Sequence, residues 1–271
     1  MGIRINTNIP ALNTGRMLAR STAALNQSLQ RLSSGLRINC AADDAAGLAI
    51  AESFRSQVRG TQVAQRNAQD GVSLVQTAEG ALSETTNILQ RIRELAVQAA
   101  NGTQSDNNRA AMEGEVQQLL AQINGIAIDT EFNGIRVLSA AQTVTLQAGA
   151  MTSQTLVIAI SGAKTNDLGV NTVHVSSMAL AVSAISTIDT AIKSVTSLRS
   201  TLGAYQNRLE FTVNTLAIQE ENSAAAESAI RDANIATETI AFTRNQILVS
   251  AGTSVLAQAN LVPQTALALL R

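Results

Sequence analysis

The chain has 271 residues and a formal net charge of −1, from 19 Lys and Arg against 20 Asp and Glu. Without a basic excess, the composition does not favour nucleic acid as a partner. Tryptophan is absent, only 2% of the residues are aromatic, and proline occurs only at Pro10 and Pro263. Interior prolines disrupt helices and compact cores normally rely on aromatic side chains. The composition therefore predicts long α-helices and argues against an all-β fold or a disulfide-rich scaffold.

The first 42 residues contain five arginines and no acidic residue. An arginine-rich start without acidic residues is typical of a mitochondrial transit peptide. Residues 220–244 give a better explanation, because they could form ion pairs with these arginines. That segment holds five acidic residues against two arginines, so we expect the two ends of the chain to be electrostatically complementary. The first twenty residues lack the continuous apolar core of a secretory signal, and we expect no cleaved signal of that kind.

Helical periodicity begins with a leucine stripe that ends near the Ser33-Ser34-Gly35 break. Its members are Leu18, Leu25, Leu29, Leu32 and Leu36. A much longer helix is expected between the N-cap candidates Asp43 and Asp44 and the Asn101-Gly102 stop.

The long helix has an apolar seam with alternating spacings of three and four residues. The seam consists of Val75, Ala78, Leu82, Thr85, Leu89, Ile92, Ala96 and Ala99. A flanking stripe consists of Leu74, Ala81, Ile88 and Leu95. Two adjacent stripes predict that this helix packs against more than one neighbour.

Two more helices and a β region follow in chain order. One helix has the predicted seam Met112, Val116, Leu119, Ile123 and Ile126, and the other has Ile185, Ile188, Ile192, Val195, Leu202, Tyr205, Leu209 and Leu216. Between them, residues 131–177 read as a small β region. It contains an Asn133-Gly134 turn and the β-branched segments TVTLQA and TLVIAI.

The C-terminal segment contains no charged residue from Asn245 to Leu270, and its apolar residues cover nearly all sides of a helix. A helix that is apolar all round must be buried, and the single leucine stripe of the first helix cannot cover it alone. We therefore expect other copies of the same chain to cover it. The expected subunit-packing residues are Leu18, Leu25, Leu32, Ile247, Leu248, Val255, Leu256, Val262 and Leu267.

The sequence contains no recognisable catalytic, metal-binding or phosphate-binding motif. The single histidine, His174, is interpreted as a surface residue of a β-like VHV segment. The single cysteine, Cys40, cannot form an internal disulfide, and a packing role is favoured over a redox role. The sequence therefore predicts no enzyme activity, no cofactor and no metal.

At both ends the chain resembles bacterial flagellins. The resemblance is carried by INTNIPALN at 5–13, LSSGLRIN at 32–39, DDAAGLAIAE at 43–52, RNAQDGVSLVQTAEGAL at 66–82, LQRIRELAVQAANGT at 89–103, TEFNG at 130–134, LGAYQNRLEFTVNTL at 202–216 and ILVSAGTSVLAQANLVPQTALALL at 247–270. It implies a mainly α, elongated antiparallel bundle of long helices, with terminal helices paired as a coiled coil and a small central β-hairpin region. The implied division is an inner coiled-coil domain of residues 1–43 and 225–271, and a rod-like helical domain of residues 44–224.

The resemblance also implies a function and partners. The chain is expected to be a secreted structural subunit that self-assembles into the flagellar filament for swimming motility. The alternative is a hook–filament junction protein of the same superfamily. Implied partners are further copies of the chain, a flagellar export chaperone at the C-terminal segment, and filament cap and hook-junction proteins, with no nucleic acid and no membrane insertion. A surface for the flagellin-sensing Toll-like receptor maps to Arg91, Leu95 and Glu115.

Overall fold

The structure is a computed structural model, and it describes the backbone of residues 7–268 and the side chains of residues 7–261. The helices are α1 (Ile9–Ser34), α2 (Ala45–Ala99), α3 (Asp106–Asp129), α4 (Met178–Arg231) and α5 (Ile235–Ala268). The strands are β1 (Glu131–Phe132), β2 (Ile135–Arg136), β3 (Gln142–Gln147) and β4 (Thr155–Ile160). The predicted fold class, long helices with a small β region in the middle of the chain, is confirmed.

The chain forms two compact units. The first unit combines the chain before Gln57 with the chain after Glu221, and the second unit is Gln57–Glu221. Both boundaries fall inside helices, one in α2 and one in α4. The first unit contains α1 and α5, and the second contains α3 and the four strands.

The core of the second unit is built on the predicted stripes of α2 and α4. All eight seam residues of α2, from Val75 to Ala99, are at most 1% exposed. On α4 a buried residue recurs every seven positions, at Ile188, Val195, Leu202, Leu209 and Leu216. Burying such side chains contributes roughly 1.5–3 kcal/mol each, so these two stripes are a main source of stability for the second unit.

The stripe of α3 differs from its prediction. Met112, Val116 and Ile123 are buried as expected, but Leu120 and Ala127 are buried in place of Leu119 and Ile126. Leu119 and Ile126 lie beside this stripe and are half-buried. The buried positions Val116, Leu120 and Ala127 each follow another buried residue by four, so the buried face of α3 lies slightly to one side of the predicted seam.

The β region consists of two hairpins. The first turns at Asn133 and Gly134, whose φ angles of 49° and 78° are the left-handed values that a tight hairpin turn requires. In the second, β3 and β4 pair antiparallel, and alternate residues of β4 are buried: Leu156, Ile158 and Ile160. This hairpin lies against α2 at Gly71, where an added Cβ would overlap Leu146.

The helix α4 contains an 18-residue window with a mean hydropathy of 1.3 and, among the residues that the structure describes, is the one helix long and apolar enough to cross a bilayer. Length and composition alone do not separate a membrane span from the core helix of a protein. The start of α4 carries a stripe of buried residues that belongs to the core of the second unit: Ala181, Ala184, Ile188, Ala191 and Val195. We therefore assign α4 to the protein core.

A buried arginine closes the C-terminal end of α2. Arg109, at the start of α3, is only 8% exposed. Its Nε donates to the carbonyl of Ala99 (2.9 Å) and its Nη2 to the carbonyl of Asn101 (3.1 Å), while Nη1 pairs with Asp106 (3.1 Å). A cation at this position donates to the last carbonyl of α2, which has no partner within the helix, and complements the helix dipole.

Replacing Arg109 with methionine should destabilise the second unit, because the carbonyl of the buried Ala99 loses its side-chain donor. The expected loss is about 2 kcal/mol of unfolding free energy, measured by urea unfolding followed by circular dichroism. The matched control is Arg136→Met, at an exposed position of β2. Equal urea midpoints for the two variants would contradict the capping role.

Candidate assembly surface

In the first unit α1 and α5 pair closely along their length, and small residues make this possible. Ser28 is the buried residue of α1. On α5, a Cβ added to Gly252 would lie only 3.2 Å from Leu18 Cδ1. From Phe242 onward the half-buried residues of α5 recur at spacings of three and four: Phe242, Asn245, Val249, Gly252, Leu256 and Ala259. This spacing is that of a coiled-coil seam, and the predicted pairing of the terminal helices is confirmed.

The leucine stripe of α1 lies in this seam. Leu18, Leu25 and Leu32 are half-buried on the side that contains Ser28. Leu29, which the stripe also included, is instead 53% exposed. The sequence pattern did not predict the exposure of Leu29, because the stripe was chosen by the spacing of leucines. A close helix pair accepts a serine more easily than a leucine at its seam.

The other apolar residues of α5 point away from α1. Ile247, Leu248 and Val255 are 63%, 48% and 54% exposed, whereas Leu256 is half-buried in the seam. Further exposed apolar residues lie on both helices, at Ile9, Leu12, Met17, Leu29, Ile240 and Leu261. Val262 and Leu267 lie outside the residues whose side chains the structure describes. We call Ile240, Ile247, Leu248, Val255 and Leu261 the outer face of α5.

Backbone hydrogen bonds join the two connections of the first unit. The N–H of Arg37 donates to the carbonyl of Arg231 (2.7 Å), and the N–H of Ala233 donates to the carbonyl of Gly35 (2.9 Å). This pairs the α1–α2 connection antiparallel with the α4–α5 connection, at Leu36 and Asp232. Gly35 has a φ of 70° and ends α1 in the left-handed conformation that glycine adopts without strain.

The expected complementarity of the chain ends is confirmed at one ion pair. Arg31 Nη1 lies 3.8 Å from Glu238 Oε2, which joins α1 to α5. Arg37 instead donates to the carbonyl of Ile230, from Nε (3.1 Å) and Nη2 (2.6 Å). Within the acidic segment, Arg231 Nη1 lies 3.8 Å from Glu227. The same atom lies 3.1 Å from Glu52 of α2.

The two aspartates before α2 have different roles. Asp44 is the predicted N-cap, and its Oδ1 accepts from the N–H of Gly47 (2.8 Å). Asp43 Oδ2 accepts from the N–H groups of Asn39 and Cys40 (3.1 Å each). These two hydrogen bonds favour the charged carboxylate and lower the pKa of Asp43 from 3.8 to about 2. Asp43 therefore holds the α1–α2 connection in its turn.

Cys40 does not have the packing role that the sequence suggested. Its side chain is exposed, and Sγ lies 3.3 Å from Asp43 Oδ2. The residue is part of the turn that Asp43 organises, and this turn lies on the surface.

The three residues matched to a receptor surface do not all face solvent. Arg91 and Glu115 are exposed, and they join α2 to α3 through hydrogen bonds of 3.0 Å and 2.8 Å, which raise the pKa of Arg91. Leu95 is 3% exposed and belongs to the core of the second unit. The receptor surface stays a prediction, and of its three residues only Arg91 and Glu115 face solvent in this conformation. In the flanking stripe that contains Leu95, Leu74 is also buried, and Ala81 and Ile88 are half-buried against the same core.

His174 lies outside the strands, and its imidazole is exposed between the buried Val173 and Val175. Its Nδ1 lies 2.7 Å from Glu113 Oε1. Although partial burial raises the pKa of Glu113, hydrogen bonds from Val175 N–H and His174 hold that pKa below its ordinary value. Within the described residues no group of three or more His, Cys, Asp or Glu side chains is placed to hold a metal.

Two family models match most of the chain. The bacterial flagellin N-terminal helical region matches residues 5–143, and the bacterial flagellin C-terminal helical region matches residues 185–270. A flagellin of Halalkalibacterium halodurans is 46% identical, over 98% of this chain and 99% of that protein. The flagellar filament 31.3 kDa core protein of Treponema maltophilum is 44% identical, with the same coverage of both chains.

A solved structure shares the fold. The structure of a putative flagellar hook-associated protein from Vibrio parahaemolyticus superposes with a TM-score of 0.59 and 12% identity. It covers 70% of this chain and 100% of that chain. At this level of identity the likeness concerns the fold alone.

The depressed pKa of Asp43 predicts how stability depends on pH. The carboxylate stabilises the folded chain above pH 3.8, the ordinary pKa of an aspartate, and this contribution is lost as the pH falls through about 2. The variant Asp43→Asn should therefore melt below the wild type above pH 3.8, and the difference should shrink toward pH 2. Thermal melting followed by circular dichroism measures it. Asp70→Asn, an exposed position of α2, is the control for loss of one charge. A difference that does not change with pH would contradict the prediction.

Proposed function

The chain belongs to the bacterial flagellin family and is a structural subunit of the flagellar filament, and we propose that the outer face of α5 makes contacts between its copies. The observation that carries this proposal is the exposure of Ile247, Leu248 and Val255 in a single copy. Contiguous apolar surface on a protein marks an interaction site.

Three features of the outer face support a second copy of the chain as its occupant. First, α1 already uses its own seam to cover the opposite side of α5. Second, the segment from Asn245 to Leu270 has no charged side chain, so burying it incurs no cost of removing a charge from water. Third, a filament subunit meets copies of itself, and closely packed copies would cover apolar surface on several sides of one helix. Leu18, Leu25, Leu32 and Leu256 support this surface from within by holding α1 against α5.

The expected domain division is proposed together with this role. Residues 1–43 with 225–271 would form the inner coiled-coil domain, and residues 44–224 the rod-like domain. The boundary between residues 43 and 44 coincides with the Asp44 cap that begins α2. The compact units divide later along α2, after Ser56, because the first turns of α2 contact the α4–α5 connection through Glu52 and Arg231.

Export and partners follow from the same proposal. We place the assembled subunit outside the cell, exported through the flagellar type III apparatus. An export chaperone would cover the uncharged C-terminal segment before assembly, and filament cap and hook-junction proteins would meet the terminal subunits. The role is structural and not enzymatic, in keeping with a family of structural proteins.

The surface around Arg91 and Glu115 is proposed as a contact for the flagellin-sensing Toll-like receptor. Both side chains are exposed, and the ion pair between them fixes their positions across α2 and α3. Glu94 also reaches Arg91, at 3.2 Å. The contact would be made by this charged cluster, while Leu95 would contribute only by packing beneath it.

Replacing both Ile247 and Leu248 with serine should prevent filament growth and leave the folded second unit intact. Each lost side chain removes about 1.5 kcal/mol or more of apolar burial between copies, so the critical concentration for seeded polymerisation should rise about 100-fold. The measurement is the concentration of unpolymerised chain at equilibrium with filament fragments.

The matched control is Ile247→Leu, which keeps an apolar side chain of similar volume and should polymerise close to the wild type. Circular dichroism of both variants checks that the helices persist. Filaments from the double serine variant at the wild-type critical concentration would refute the role of the outer face.

For the receptor contact, Arg91→Ala should weaken receptor activation by the unassembled subunit about 10-fold or more, as expected from loss of a charge-assisted contact. A receptor-dependent reporter in cultured cells measures the half-maximal concentration. Arg93→Ala is the control, because Arg93 is a similarly exposed arginine of α2 that pairs with Asp189 at 2.6 Å. An equal effect of the two variants would exclude a specific role for Arg91.

A further inference from the structure

The helix α5 continues through a proline. Pro263 lies inside α5, which extends to Ala268. In an α-helix each N–H donates to the carbonyl four residues earlier, and proline has no N–H. The carbonyl of Ala259 therefore has no donor from its own helix.

A side chain of α1 supplies the missing donor. Asn8 Nδ2 donates to the carbonyl of Ala259 at 2.8 Å, across 251 residues of sequence. The other end of the same amide is used as well, because Asn8 Oδ1 accepts from the N–H of Ala11 (3.1 Å) and so caps the start of α1. One amide thus serves an orphan donor of α1 and an orphan acceptor of α5.

We propose that Asn8 and Pro263 form a register latch between α1 and α5, with Asn8 as a positioning residue for filament assembly. Pro263 leaves one carbonyl of α5 free, and Asn8 is the donor that meets it. A shift of α5 by one residue along α1 would present a carbonyl that is already bonded within the helix. The latch therefore favours a single register of the pair.

The latch lies at the end of the helix pair that is farthest from the connections, where it can fix the register of α1 and α5. At the other end of the pair, the α1–α2 and α4–α5 connections are joined by backbone hydrogen bonds, and Arg31 pairs with Glu238. Between the two ends the seam consists of apolar and small residues apart from Asn245, and within the described residues no side-chain hydrogen bond joins α1 to α5 there. The latch and the Arg31–Glu238 pair thus hold the two helices at both ends.

The register decides what the pair presents to other copies. The exposed Ile9 and Leu12 follow Asn8 directly, and the exposed Val255 and Leu261 of α5 flank Ala259. A one-residue step along an α-helix turns a side chain by about 100° around the axis. A slipped pair would therefore separate these apolar residues into different surfaces. The inference deepens the proposed function, since it names the residues that hold the outer face in position.

The test separates helix capping from the latch. Asp and Ser are both good N-cap residues, but the carboxylate of Asp cannot donate to Ala259, and the Ser hydroxyl is one bond shorter than the amide. Asn8→Asp and Asn8→Ser should each raise the critical concentration of seeded polymerisation about 10-fold, as expected for a carbonyl left without its donor. Asn13→Asp adds the same charge to α1 at an exposed position and should stay near the wild type.

The decisive variant is Pro263→Ala, which restores the N–H that the carbonyl of Ala259 lacks. In this background Asn8→Asp should raise the critical concentration less than about twofold, because the helix now satisfies the acceptor itself. The same factor in both backgrounds would overturn the latch. If Pro263→Ala does not polymerise, the single variants decide: wild-type behaviour of both Asn8→Asp and Asn8→Ser would also overturn it.

Failure of the latch is distinguishable from failure of the outer face. The outer face fails if the serine variant of Ile247 and Leu248 polymerises normally. The latch fails if the effects of Asn8 and Pro263 are additive, whatever the serine variant does.

Discussion

The close antiparallel packing of α1 against α5 determines what the first unit exposes to solvent. Small residues such as Ser28 and Gly252 let the two helices approach, and each helix turns only one narrow face toward the other. A helix pair with a narrow seam cannot cover a helix that is apolar on most sides. The exposed Ile247 and Val255 are therefore a direct consequence of the way in which α1 and α5 fit together.

This arrangement suits a subunit that must stay folded as a single copy and then associate with other copies of the same chain. The second unit has its own core, built on the stripes of α2 and α4, and does not depend on the outer face of α5. The outer face of α5 has no charged side chain from Asn245 onward, and the exposed Arg244 lies beside Ile240, Ile247 and Leu248 at its start. Polar side chains satisfy backbone groups at three helix ends: Arg109 at the end of α2, Arg37 at the end of α4 and Asn8 at the start of α1.

Much of the fold could be predicted from apolar periodicity, but the exact phase of each stripe could not. The seam of α2 was predicted residue by residue because its heptad pattern persists over many turns. The stripe of α3 was predicted one residue out of phase at Leu119 and Ile126, since both neighbours in each pair, Leu119 with Leu120 and Ile126 with Ala127, are apolar and spacing alone does not show which is buried. Leu29 was placed in the seam because apolar character alone cannot show that a neighbouring backbone comes too close for a leucine. The flanking stripe predicted that Leu95 packs against a neighbour, whereas the motif match placed it in a receptor surface, since a motif match does not show which residues are buried.

The sequence by itself determined the helical class, the central β hairpins, the N-cap at Asp44 and the uncharged C-terminal segment, because each depends on neighbouring residues and their spacing. Only the tertiary structure decided which apolar residues stay exposed and which polar groups meet over long separations. The contact of Asn8 with the carbonyl of Ala259 is of the second kind. The residues near Asn8 in the sequence do not predict this contact, since the carbonyl that needs a donor is created by a proline at the other end of the chain. The scarcity of proline allows the long helices, and one of the two prolines present leaves a carbonyl that only the fold can satisfy.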